Sequence, residues 1–253
     1  MKRLITNRTA PLFVASLWLP VLLAACPPAT QPSEETLTVA FDAAVADAHD
    51  PQPSEISREL TAITKYTPGL VWEGEPGASR VKVATWTSYS GYVVGKSYTA
   101  RYDGKYQPAV DLWVTAAPEV QNWVKKHPLV NVENAELRLK QLLGMPHTTE
   151  RTWFVEFWVE PQDLFRPSPD PEVTDHEAEL DFPWNNDAMQ ISQEHQEWIE
   201  WQIENNDWPW TRLGYTYDWG NPCSHVGLSE FVIKKNAVIT VISITPSMEY
   251  LFG

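Results

Sequence analysis

The first 26 residues decide how much of this chain is left to fold. Basic residues come first, then an apolar stretch over residues 11–23, and two alanines stand before Cys26. The basic residues are Lys2, Arg3 and Arg8. This order is the layout of a secretory signal with a small-residue cleavage site. A transmembrane anchor is the alternative, but a span needs about 20 apolar residues, and Pro11 and Pro20 bound a shorter run. Cleavage before Cys26 leaves 228 residues to fold outside the cytoplasm.

The residues around the cleavage site carry a second pattern. The run Leu23-Ala24-Ala25-Cys26 resembles the lipobox of bacterial lipoproteins. The resemblance implies that Cys26 becomes an acylated N-terminus and that the protein is held on a membrane by its lipid. Pro27 rather than Asp follows the cysteine, which in such lipoproteins implies transport to the outer membrane, facing the periplasm. A secretory signal followed by an unmodified Cys26 is the alternative.

Charge and cysteine content restrict the remaining possibilities. Residues 26–253 carry 16 Lys and Arg against 33 Asp and Glu, a net charge of −17. Nucleic-acid binding needs concentrated Lys and Arg, so a nucleic-acid partner is not expected. If Cys26 is acylated, Cys223 is the other cysteine of the chain. The sequence then predicts a buried or incidental thiol at Cys223 and no intramolecular disulfide.

The hydrophobic pattern predicts a flexible tether followed by a single domain. Residues 26–53 comprise the lipidated cysteine and a segment rich in Pro, Ala, Ser and Thr, which is typical of a tether. In the domain, residues 54–253, helices are predicted at 54–66, 118–126, 132–144 and 187–205. Strands are predicted at 80–86, 91–99, 110–115, 152–160, 212–219, 226–233 and 237–244. Helices and strands mix without βαβ regularity, so we expect an α+β fold with a mostly antiparallel sheet and three to four helices.

A long segment over residues 161–183 contains the first candidate site, which we call the acidic loop (Asp170–Asp181). Its like charges repel, and Ca²⁺, which takes 6–8 oxygen ligands, would offset them. The candidate metal ligands are Asp170, Glu172, Asp175, Glu179 and Asp181. The spacing lacks the core of an EF-hand loop, and a solvated loop paired with Arg166 is the alternative. Because long structureless connections are uncommon, we expect an ordered loop that forms one wall of a groove.

The second candidate site is an aromatic segment over residues 208–220. If it is extended, its aromatic rings form one row beside an arginine and an aspartate. Rings stack on sugars, and charged side chains make oriented hydrogen bonds. The candidate ligand-binding residues are Arg212, Tyr215, Tyr217, Asp218 and Trp219. A strand with an aromatic face in the core is the alternative.

These patterns predict a cell-envelope lipoprotein whose domain binds a carbohydrate or a protein partner. A hydrolase acting on cell-wall glycans is the alternative, because such chemistry needs two carboxyl groups about 5–10 Å apart. The candidate carboxyl groups are Glu156, Asp175, Glu179, Asp181 and Asp218. Glu230, on a predicted strand, is a weaker catalytic candidate. The sequence contains no HExxH zinc motif, P-loop or dinucleotide fingerprint, so no cofactor is predicted.

Overall fold

The computed structural model describes residues 33–89, 104–183 and 191–253. The α-helices within these ranges are α1 (Glu34–Ala48), α2 (Glu119–Lys126), α3 (Ala135–Leu142), α4 (Gln193–Asn205) and α5 (Ser247–Phe252). The strands are β1 (Val81–Thr87), β2 (Lys105–Tyr106), β3 (Leu112–Ala116), β4 (Trp153–Val159), β5 (Leu164–Phe165), β6 (Tyr215–Tyr217), β7 (Val226–Ser229), β8 (Phe231–Ile233) and β9 (Ile239–Pro246). Two 3₁₀ turns cover Pro53–Glu55 and Pro161–Asp163.

Seven strands form one sheet in the order β2-β9-β4-β1-β3-β8-β5, and β6 and β7 form a separate two-stranded sheet. Every strand pairing among the described residues is antiparallel. The predicted α+β class with an antiparallel sheet is therefore confirmed. The described residues contain five α-helices, however, rather than three to four.

The sheet separates two hydrophobic clusters because side chains alternate across each strand. In β1, Val81 and Val83 belong to one cluster, whereas Ala84 and Trp86 belong to the other. The strand β4 behaves in the same way, and its residues 153, 155, 157 and 159 lie on one face. Helices α2, α3 and α5 cover the opposite face. The core thus lies on both faces of the central strands.

The segment predicted to be a flexible tether contains helix α1. Ser33 caps this helix by accepting a hydrogen bond from the Thr36 N–H, and two glutamates occupy the first turn, where negative charge is favourable. The helix packs on the domain through Ala44 and Ala48, and the Phe41 ring meets Trp219 edge to face. Composition indicated a tether, but alanine-rich helical propensity and these contacts order residues 34–48.

The predicted helix over residues 54–66 does not form. The structure places a 3₁₀ turn at Pro53–Glu55 and then irregular backbone. The N–H of Leu60 donates to the His176 carbonyl, and the N–H of Ile63 donates to the Val173 carbonyl. The backbone of this segment therefore bonds the acidic loop instead of its own preceding turn.

Other boundaries also differ from the prediction. Helix α4 has its N-cap at Ser192, whose hydroxyl accepts from the His195 N–H; residues 184–190 lie outside the described residues, as does the strand predicted at 91–99. The strand predicted at 212–219 is confined to β6, because Arg212 and Gly214 have φ angles of 53° and 72°. No helix among the described residues is long and apolar enough to cross a membrane.

Candidate functional site

Segments far apart in the sequence enclose a cavity of about 400 Å³, which we call the tryptophan cavity. The end of β1 and the start of β3 form one side, and residues 143–145 after α3 form another. The end of α4 and residues 208–210 complete the wall. Glu230 lines it from the junction of β7 and β8, where its N–H donates to the Gly214 carbonyl at 3.0 Å.

Aromatic side chains form the walls of this cavity. The tryptophans are Trp86, Trp113, Trp208 and Trp210. Trp86 is fixed because its ring stacks on Phe154 and its Nε1–H donates to the Ser247 hydroxyl at 2.8 Å. Trp113 meets Trp210 edge to face, with ring centroids 6.0 Å apart. Trp208 is 38% exposed. The cavity therefore has rigid apolar walls and one tryptophan open to solvent.

Two buried N–H groups belonging to the cavity residues lack a hydrogen-bond acceptor within the described parts of the chain. They are the Nε–H of Arg151 and the Nε1–H of Trp210. A buried donor without an acceptor costs about 1–3 kcal/mol. The Arg151 guanidinium makes one hydrogen bond, from Nη1 to the Glu150 carbonyl at 3.0 Å, and burial lowers its pKa. Neither atom is exposed to solvent, so a ligand would have to pack closely against these two side chains to accept a hydrogen bond from them.

Glu230 is the unusual acid of the tryptophan cavity. The residue is half-buried, and desolvation of its carboxyl group raises the pKa from 4.5 to about 8. Burial is the sole cause of this shift, with no opposing contribution from a cation or a hydrogen-bond donor. At neutral pH the carboxyl group is therefore mostly protonated and presents both a donor and an acceptor to the cavity.

Asp111 is the other carboxylate in the cavity lining, and both of its oxygens are occupied. Oδ2 accepts from the Trp198 Nε1–H at 2.9 Å, and Oδ1 accepts from the Lys235 N–H at 2.8 Å. These bonds fix α4 and the turn after β8 against the start of β3. Asp111 therefore holds the wall in place, whereas Glu230 faces the cavity without a described partner for its side chain.

The five residues predicted to bind ligand do not form an open platform. Tyr215 and Tyr217 are buried, and Asp218 is 2% exposed. Asp218 makes a two-point ion pair with Arg138, with Nη1 at 2.8 Å from Oδ1. The remaining two are half-buried: Arg212 is the residue with φ of 53°, and Trp219 donates to the Met145 carbonyl at 3.0 Å. This segment supplies packing, and of the five only Tyr217 also touches the tryptophan cavity.

The acidic loop is organised around Arg166, which is fully buried. Its Nε–H donates to the Glu172 carbonyl at 3.1 Å, and Nη2 donates to the Asp175 carbonyl at 3.1 Å. The Asp175 carboxylate lies 3.9 Å from Nη2. Glu179 shares a hydrogen bond with Asp170, and burial together with this contact raises the pKa of Glu179 to about 7. The loop thus offsets its charge internally, through one arginine and one retained proton.

The five predicted calcium ligands do not converge on one point. Asp181 is exposed, while Asp170, Glu172, Asp175 and Glu179 surround Arg166. Within the described ranges, one set of three metal-ligating side chains has its atoms close together, and that set lies elsewhere in the fold. The loop does form one wall of a second cavity, of about 880 Å³, opposite α4.

The carboxyl groups expected of a glycan hydrolase are also dispersed. Glu156 lies in β4, 3.0 Å from Lys82 Nζ and 2.9 Å from the Ser243 hydroxyl. Asp218 is held by Arg138. Asp175, Glu179 and Asp181 belong to the acidic loop. No two of these groups face each other across the tryptophan cavity, which Glu230 and Asp111 line instead.

Cys223 differs from its prediction as an incidental thiol. It lies exposed in the turn between β6 and β7, and it is disulfide-bonded in the structure. The other cysteine of the sequence, Cys26, lies outside the described residues. One sulfur cannot carry both a thioether and a disulfide. A lipid on Cys26 and a disulfide between Cys26 and Cys223 therefore exclude each other.

Comparisons with protein-family models, curated proteins and solved structures find no match for this chain. The candidate site therefore depends on its own geometry. Sequence reasoning reached part of it, since residues 208–210 belong to the aromatic segment and Glu230 was a weak candidate. It missed Arg151, Trp86 and Trp113, for which no motif or spacing gives a signal.

Proposed function

We propose that this protein is a cell-envelope lipoprotein whose α+β domain binds a saccharide in the tryptophan cavity. The observation that carries the proposal is the combination of four tryptophan walls with unpaired polar groups in one enclosed space. A cavity of about 400 Å³ falls in the range of small-molecule sites. The expected ligand is a short glycan unit such as a peptidoglycan fragment.

The chemistry of the lining suits a sugar better than a purely apolar ligand. Aromatic faces pack on the C–H faces of a sugar ring, and a few placed polar groups fix the orientation of its hydroxyl groups. Arg151 and Trp210 offer donors, and protonated Glu230 offers one donor and an acceptor. A ligand hydroxyl or carboxylate that satisfies these donors removes the cost of leaving them unpaired.

A second candidate function, hydrolysis of a cell-wall glycan, is favoured by Glu230. A carboxyl group that keeps its proton at neutral pH is what a general acid requires. The second carboxylate of the cavity, Asp111, already accepts two hydrogen bonds. Binding therefore remains the first proposal. If the protein releases reducing ends from peptidoglycan and Glu230→Gln abolishes this activity, hydrolysis replaces binding as the proposed function.

The binding proposal is tested with the full-length protein in detergent and a series of soluble peptidoglycan fragments. Intrinsic tryptophan fluorescence and calorimetry measure the affinity. We expect Trp208→Ala to weaken binding at least tenfold, because its ring lines the cavity while 38% of it is exposed, so the fold tolerates its loss. Trp201→Ala, which removes a 57% exposed tryptophan outside this cavity, is the matched control. Equal affinity of both variants and the parent would contradict the proposal.

The anchor is a separate part of the proposal and has its own test. The run Leu23-Ala24-Ala25-Cys26 supports a thioether-linked diacylglycerol on Cys26, and one or more further acyl chains make such an anchor stable. Mass spectrometry of protein isolated from membranes should show an acylated peptide beginning at Cys26. A disulfide-linked peptide containing Cys26 and Cys223 would show instead that the cysteine is unmodified by lipid.

A further inference from the structure

The end of α1 and the turn between β6 and β7 meet at three metal-ligating side chains. They are Asp47 in α1, Glu55 at the end of the following 3₁₀ turn, and His225 just before β7. One nitrogen or oxygen of each lies within 4.8 Å of the others. His225 Nε2 lies 3.3 Å from Glu55 Oε1, and Nδ1 lies 4.0 Å from Asp47 Oδ2. His225 is 170 positions or more from the two acids in the chain, so only the fold brings it to them.

Neighbouring groups hold each of the three side chains in place. The His225 ring stacks on Tyr217, with centroids 4.9 Å apart, and on Tyr215 at 6.0 Å. The Tyr217 hydroxyl donates to Asp47 Oδ2 at 2.6 Å. Glu55 Oε2 accepts from the Gln52 N–H, which leaves Oε1 directed at His225. Such supporting hydrogen bonds and packing are what orient the ligands of protein metal sites.

The charges of this cluster are not balanced by nearby cations. Within the described part of the chain, Asp47 and Glu55 have His225 as their ion-pairing partner and no lysine or arginine within 4 Å. Two carboxylates facing one imidazole carry a charge of −2 while the imidazole is neutral. A divalent cation between them would neutralise this charge.

The distances and the donor set indicate which kind of cation fits. Zinc binds His nitrogen and carboxylate oxygen at about 2.0–2.2 Å, so its tetrahedral ligand atoms lie about 3.3–3.5 Å apart. The 3.3 Å separation of His225 Nε2 and Glu55 Oε1 already matches this. Asp47 Oδ2 lies 4.0 Å from the other ring nitrogen, Nδ1, so the Asp47 side chain has to rotate towards Nε2 to bind the same ion. Calcium and magnesium prefer oxygen ligands, so the imidazole favours a transition metal. Asp47 and His225 also border an open cavity of about 460 Å³, which leaves space for a water ligand.

We propose that Asp47, Glu55 and His225 form a binding site for one divalent transition-metal ion of the zinc class, with water as the fourth ligand. The ion joins α1 to the β6–β7 turn, so binding stabilises the docked position of α1. None of the three ligands lines the tryptophan cavity, although Tyr217 contacts both sites, and the proposal does not depend on the saccharide.

The site is tested with the full-length protein after chelator treatment, by titration with Zn²⁺ in calorimetry and with Co²⁺ in visible absorption spectroscopy. We expect one ion per chain, a d–d absorption band with Co²⁺, and a rise in Tm. His225→Gln and Glu55→Gln should each weaken Zn²⁺ binding at least tenfold. His49→Gln is the matched control, because His49 is exposed at the end of α1 and outside the cluster.

Several results would overturn this assignment. Weak binding of several ions that neither His225→Gln nor Glu55→Gln changes would show adventitious association only. In protein whose Cys26 is lipidated, so that Cys223 keeps its thiol, loss of binding in Cys223→Ser would assign the ion to a sulfur ligand instead. The Tm of chelator-treated His225→Gln should equal that of the chelator-treated parent, which separates loss of a ligand from loss of the fold.

Discussion

Glu230→Gln is expected to change how the stability of the protein depends on pH. Burial raises the pKa of Glu230 from 4.5 to about 8 in the folded chain. The folded state therefore keeps a proton that the unfolded state releases above about pH 4.5. By linkage, the free energy of unfolding falls as the pH rises from about 4.5 through about 8, and then levels off. Glutamine cannot ionise, so this part of the fall is absent in the variant.

The size of the effect follows from the pKa shift. Each pKa unit corresponds to about 1.36 kcal/mol, so the full shift sets an upper limit of about 5 kcal/mol. Water can enter the tryptophan cavity beside the carboxyl group and reduce its desolvation. We therefore expect Glu230→Gln to gain about 2–3 kcal/mol over the parent between pH 5 and pH 9.

Urea denaturation followed by tryptophan fluorescence at pH 5 and pH 9 measures this difference. Other buried acids also contribute to the pH dependence, since the pKa of Glu119 is raised to about 7 by burial. The variant must therefore be compared with the parent at each pH. Glu200→Gln, at an exposed position of α4, is the matched control and should show no gain. A stability difference between Glu230→Gln and the parent that is the same at both pH values would refute the reasoning.

Three further predictions concern the packing around the site. Gly214→Ala should lower the free energy of unfolding by roughly 3 kcal/mol or more, because φ is +72° and the new Cβ would lie 2.6 Å from Arg166 Cδ. The control is Gly69→Ala, where φ is +87° and no atom lies within 4 Å of the new Cβ. It should lower the free energy of unfolding by only about 1 kcal/mol in the same urea assay. Asp218→Asn should lower the free energy of unfolding by roughly 2–4 kcal/mol, because it leaves Arg138 without its anionic partner, and equal stability would contradict the structural role of this pair. Millimolar Ca²⁺ should leave Tm unchanged, because the acidic loop is closed around its own arginine; a rise in Tm that depends on Ca²⁺ concentration would restore the calcium hypothesis.

The parts of the fold that the sequence predicts are those where a local pattern and the tertiary environment agree. In β4, the run of aromatic and β-branched residues over 152–160 predicts a strand with two rows of side chains, and the row of residues 153, 155, 157 and 159 packs in one hydrophobic cluster. The start of α2 follows from Pro118, and the end of α3 follows from Gly144, which has φ of 65°. Such elements can be predicted from about ten neighbouring residues.

The wrong predictions come from segments whose state depends on distant partners. Residues 56, 60 and 63 have helical spacing, yet the N–H groups of Leu60 and Ile63 donate to carbonyl groups of the acidic loop more than 100 residues away. The many polar and small residues around helix α1 predict a tether. The helix docks through the hydrogen bond between Tyr217 and Asp47, which cannot be inferred from either residue alone. Period and composition do not contain these contacts.

The candidate site was the least predictable feature for the same reason. Its polar groups, Arg151 and Glu230, are single residues without a motif, and only tertiary packing places both in one cavity. The acidic loop was a more evident candidate in the sequence because its carboxylates are so dense, but the buried Arg166 offsets part of their charge and binds the loop backbone. The dense carboxylates of the acidic loop thus belong to a structural network around Arg166, whereas Glu230, a single glutamate, lines the cavity.

The most direct test of the saccharide proposal is the NMR spectrum of protein with ¹⁵N-labelled tryptophan during titration with a peptidoglycan fragment. Each indole N–H gives its own resonance, so the spectrum reports which tryptophans meet the ligand. We expect the resonance of Trp210, whose N–H lacks a described acceptor, to shift most, together with that of Trp208. Trp72, which packs on the other face of the sheet, should not move. Shifts confined to tryptophans outside the cavity, or none with any fragment, would contradict the account.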